Sequence, residues 1–134
     1  IRMTLHTIRA HPLLAQFVAR SGVSVAAQDS LALTYIPRDI QAGMASGQFE
    51  LASVHVGVGL GLGTVHAAVV AMTSQLPTLP ALLPNFPEEF TYHLLLALGI
   101  TTKAARSLVS VPIQPVVFPV HALLARTKPG AEIT

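Results

Sequence analysis

The sequence predicts an all-α membrane protein: a transmembrane helical hairpin with an amphipathic helix before it and a proline-broken segment after it. Three observations predict this. Residues 51–87 contain no Asp, Glu, Lys or Arg. The first part of that run, LASVHVGVGLGLGTVHAAVVAM over residues 51–72, is long enough to cross a bilayer, because the hydrocarbon layer is about 30 Å thick and a helix rises about 1.5 Å per residue. The whole chain is 51% apolar and only 10% charged. A soluble domain carries roughly 25% charged residues, so lipid or partner subunits must cover surface that polar side chains here cannot.

Residues 1–50 form a basic N-terminal part. Arg2, Arg9 and Arg20 precede the first acid, Asp29, and acid-poor, Arg-bearing N-terminal segments resemble organelle import sequences. His11-Pro12 reads as a helix entry, since proline suits a first helical turn and LLAQFVAR continues well. Leu14, Phe17, Val18 and Ser21 then share a stripe suited to a membrane surface or to another protein. Between Tyr35 and Phe49, Pro37, Gly43 and Gly47 predict a break or short loop.

The hairpin occupies residues 51–126, with its first span at about 51–73. Pro77, Pro80, Pro84 and Pro87 make residues 74–87 an extended connector. Pro87-Glu88-Glu89 marks the next helix start, with proline presetting the first turn and two carboxylates at the positive end of the helix dipole. A second span should run from about residue 88 to residue 111. Pro112, Pro115 and Pro119 spoil a straight helix through the uncharged run that follows, and residues 127–134 form a polar tail.

The charges suggest a topology. Arg2, Arg9, Arg20 and Arg38 precede the first span, Lys103, Arg106, Arg126 and Lys128 come late, and Glu88 and Glu89 lie between. A hairpin with both basic ends on one side and the acidic connector on the other obeys the positive-inside tendency. Lys103, Arg106, Arg126 and Lys128 are then candidate contacts for an anionic lipid headgroup such as cardiolipin, or snorkelling cations at an interface.

Within VGVGLGLG, Gly57 with Gly61 and Gly59 with Gly63 form overlapping GxxxG pairs, which let a second helix approach closely in lipid. All four are candidate helix-packing residues. The same glycines fail the dinucleotide pattern GxGxxG, because its third glycine would fall on Leu62, Thr64 or His66. His55 and His66 share a helix face but stand roughly 16 Å apart along it, too far to bind one metal ion. A formal charge of +2 with seven scattered aromatics gives no nucleic-acid surface, and the lack of cysteine excludes thiolate chemistry. No catalytic constellation, cofactor motif or metal site is legible, so a non-enzymatic role is expected.

Two stretches carry a family resemblance. HVGVGLGLGTVHAAVVAMTS (residues 55–74) resembles the first span of the membrane proteins grouped as domain of unknown function 1279, which includes the "family with sequence similarity 210" proteins. ALGITTKAARSLVSVPIQPVV (residues 97–117) resembles their second span, where a lysine and an arginine precede an LVSVP-like stretch. The resemblance implies a two-span protein of an organelle membrane, typically mitochondrial, with no established catalytic residues. Together these features lead us to expect a non-catalytic accessory subunit of a large mitochondrial inner-membrane complex, a respiratory complex or the ATP synthase, with other membrane subunits as partners. The alternative is a small transport or proton-conducting element lined by His55, His66 or the glycine-rich helix.

Overall fold

The computed structural model describes residues 1–27, 32–73, 80–114 and 116, and among them all regular structure is helical. The order is α1 (Arg2–Ala10), α2 (Pro12–Ala27), α3 (Ala32–Ala45), α4 (Val54–Thr73), α5 (Phe86–Ala97) and α6 (Thr102–Ser110).

Pro12 opens α2 as its sequence predicts, but a further helix, α1, precedes it. Leu5 and Ile8 lie one turn apart on the buried face of α1, and helix and proline meet at His11, whose N–H donates to the Ile8 carbonyl. Of the stripe expected on α2, Val18 is buried and Leu14 packs beside it, whereas Phe17 faces outward.

The break expected between Tyr35 and Phe49 is instead mostly helix. α3 runs through Pro37 and Gly43 and stops only at Ala45. Gly43 is a seat rather than a breaker, because a Cβ there would lie 2.4 Å from the Phe49 ring. The chain turns at Gly47, where φ is +71°. Its N–H donates to the Met44 carbonyl and that of Gln48 to the Gly43 carbonyl, the paired bonds of a glycine-terminated helix.

The single helix expected over residues 87–111 is two helices. Its start holds: Pro87 lies in the first turn of α5, with Glu88 and Glu89 beside it. The interruption comes at Gly99, where φ is +88° and the N–H groups of Gly99 and Ile100 donate back to the carbonyls of Leu96 and Leu95. Thr101 then caps α6 by accepting a hydrogen bond from the Ala104 N–H. α6 ends before Pro112, which holds Val111 in an extended conformation. α5 has 12 residues and α6 has 9, each short of the about 20 that a crossing needs.

α5 returns along α4. Leu94 and Leu98 pack with Ile40, Leu51 and Val54 near the start of α4, and the Glu50 N–H donates to the Leu98 carbonyl at 3.0 Å. α6 folds back on α5 through Tyr92, Ala105 and Val109. At the other end of α4, Val65 and Val69 meet Ile8, Ala15 and Val18 of α1 and α2.

Candidate membrane-facing site and its polar clasp

α4 carries no Asp, Glu, Lys or Arg on any side, and its polar residues are only His55, Thr64, His66 and Thr73. It is 20 residues long with a mean hydropathy of 1.6, and among the described residues it is the one helix long and apolar enough to cross a membrane. Only 22% of its apolar window is buried among the described residues.

Two faces divide the glycines. Gly57 and Gly61 turn inward with Val65, Ala68 and Val69, and a Cβ on Gly57 would lie 2.6 Å from Ile40 and 2.8 Å from Leu51. Gly57 therefore serves packing within the chain, whereas a Cβ on the inward Gly61 would meet nothing within 4 Å. Gly59 and Gly63 turn outward with Val56, Ala67 and Val70, at the three- and four-residue spacing of one helix face. A Cβ at either outward glycine meets nothing within 4 Å, so the second pair leaves a smooth, open groove.

The basic helix α1 and the acidic start of α5 meet, contrary to the topology expected from charge. Arg2, His6 and Arg9 line one side of α1 and reach the start of α5 and the end of α6. The buried Arg2 guanidinium donates to the carbonyls of Val109 and Val111, at the negative end of the α6 dipole. His6 Nε2 lies 2.5 Å from Glu88 Oε1, and Arg9 donates to the Pro84 carbonyl at 2.6 Å. One His–carboxylate contact and hydrogen bonds from two arginines to backbone carbonyls thus clasp the N-terminal helix to the connector side. The clasp joins residues about 75 to 109 positions apart in the chain, a separation no local motif encodes.

Burial pushes the Glu88 carboxyl up, but hydrogen bonds from His6 and from its own backbone N–H, with the positive charges of His6 and Arg2, outweigh it. The net pKa lies below the ordinary 4.5. A depressed carboxylate contributes stability above its unfolded value and loses it as pH falls through the folded one. Acid denaturation is therefore expected to show an added loss of stability as pH drops below about 4.5, and Glu88→Gln is expected to remove that component. Identical acid profiles for the two proteins, followed by circular dichroism, would disprove the clasp.

The lipid-headgroup candidates fall into different surroundings. Arg106 is engaged by Glu89 at 2.7 Å, and its guanidinium covers the Tyr92 ring at 3.6 Å. Lys103 is exposed on α6. Arg126 and Lys128 lie outside the described residues. His55 is exposed at the start of α4, and the Nδ1 of the half-buried His66 has no hydrogen-bond partner among the described residues. No group of three His, Asp or Glu side chains among those residues is placed to hold a metal ion.

Comparison with protein-family models, with curated proteins and with solved structures finds no match to this chain.

Proposed function

We propose that the chain is a non-catalytic accessory subunit of a multisubunit mitochondrial inner-membrane complex, a respiratory complex or the ATP synthase, held in the bilayer through α4. The observation that carries this reading is the outward face of α4. Val56, Gly59, Gly63, Ala67 and Val70 form an exposed, uncharged, small-residue face on a helix of membrane-crossing length. In lipid such a face favours close contact with another helix. Anionic lipid such as cardiolipin is a partner suited to the exposed Lys103.

The test is native electrophoresis after extraction in mild detergent. The wild-type chain is expected to migrate within a large assembly. The double substitution Gly59→Leu, Gly63→Leu is expected to release it, while the isolated protein keeps its fold because both sites open onto empty space. Migration of the wild type as a lone small species contradicts the proposal.

The unpartnered Nδ1 of His66 favours a second reading, a proton-conducting element. His66→Leu is then expected to reduce proton flux in reconstituted vesicles, and an unchanged flux removes that reading.

A further inference from the structure

A half-open cavity of about 690 Å³ lies against the inward face of α4. This is within the roughly 300–1,000 Å³ range of small-molecule pockets. Its walls are almost wholly apolar, with Ile8 and Val18 on one side, Ile36 and Ile40 on another, Leu94 behind, and Gly61 in the floor. A side chain at position 61 would project into this space, since a Cβ there meets nothing within 4 Å. The glycine keeps the groove open where any larger residue narrows it.

We propose that this cavity holds an acyl chain of a zwitterionic phospholipid. The inference rests on the membrane reading of α4, because a groove floored by that helix lies at the depth where hydrocarbon chains are the solvent. Water gains nothing from apolar walls, and an empty cavity forfeits their dispersion contacts. The headgroup class follows from the rim. Among the described residues Asp39 is the sole charged side chain lining the cavity, and Arg38 lies 3.2 Å from it. Both are about two-thirds exposed, so a headgroup ammonium can meet Asp39 while its phosphate meets Arg38. A headgroup bearing only negative charge would meet Arg38 but bring no cation to Asp39.

The test uses the full chain in phospholipid vesicles containing a phosphatidylcholine probe with a photoreactive acyl chain, and crosslinked residues are located by mass spectrometry. Crosslinks are expected to concentrate on Ile36, Ile40 and Leu94. Gly61→Leu is expected to lower them several-fold and leave those at the outward Val56 and Val70 unchanged. A phosphatidic acid probe with the same acyl chain is expected to label the cavity less than the zwitterionic one. Cavity labelling no greater than that of Val56 and Val70, an unchanged pattern in Gly61→Leu, or preference for the anionic probe would overturn the proposal. Alkaline carbonate washing separates the two readings. A chain that washes off native membranes yet is labelled in its cavity refutes the anchoring alone, and one that resists washing but shows no cavity labelling refutes the acyl-chain site alone.

Discussion

Gly99→Ala is expected to destabilise the protein by about 3 kcal/mol and to lower its thermal midpoint by about 10 °C. Two costs combine at this position. The residue sits at φ +88°, a left-handed conformation that costs an L side chain about 1–2 kcal/mol. An added Cβ would also lie 2.6 Å from the Glu50 Cβ and 2.7 Å from its backbone nitrogen. Backbone cannot swing aside as a side-chain tip can, so the hydrogen bond from Glu50 to Leu98 must lengthen and α5 must part from the start of α4. Gly47 provides the control. It has φ +71° but open space around its missing Cβ, so Gly47→Ala bears the conformational cost alone, about 1 kcal/mol. Equal effects of the two substitutions in chemical denaturation would contradict the contact between residue 50 and the end of α5.

Arg2→Met is expected to cost about 2–3 kcal/mol, by removing charge-assisted hydrogen bonds to one buried and one partly buried carbonyl. Methionine keeps much of the apolar stem but donates nothing, leaving the carbonyls of Val109 and Val111 without this partner. Arg2→Lys is expected to recover only part of the loss, because an ammonium on a single stem cannot reproduce a planar fork spanning two carbonyls. The damage should be local before it is global. Amide exchange is expected to accelerate first in α6 and α1, with α4 still protected. A loss below about 0.5 kcal/mol, as for an ordinary surface substitution, would show that Arg2 does not hold the end of α6.

The contrast between these sites and α4 explains what the sequence revealed. α4 was legible as a long apolar helix because its run without charges is continuous in the sequence, whatever its neighbours do. The entries at Pro12 and Pro87 were legible because proline constrains its own residue. α1 was missed although Leu5 and Ile8 carry its helical spacing. The stop at Gly99 was missed although glycine, Ile100 and a capping Thr101 follow one another as a helix end and a new start require. Gly43 misled for the opposite reason: its lack of a side chain serves Phe49, and that need is visible only in three dimensions. The charge pattern misled most. Counting cations and anions along the chain assigned Arg2 and Arg9 to one side and Glu88 to the other, whereas contacts across long sequence distances set His6 against Glu88 and Arg9 against the Pro84 carbonyl. The glycine pairs lay between these cases, since spacing identified all four but not that Gly57 and Gly61 turn inward while Gly59 and Gly63 face out.

The claim on which the rest depends is that the outward face of α4 meets hydrocarbon or another helix rather than water. The chain contains no cysteine, so single cysteines placed from residue 53 to residue 73 report one position at a time. In sealed membranes treated with a water-soluble maleimide, reaction is expected only near the two ends of this stretch. Cysteines at positions 56, 59, 63, 67 and 70 should stay unmodified until detergent and denaturant are added. Rapid modification of those five, alternating with protection at 57, 61, 65 and 68, would describe a helix with one wet side and contradict the account.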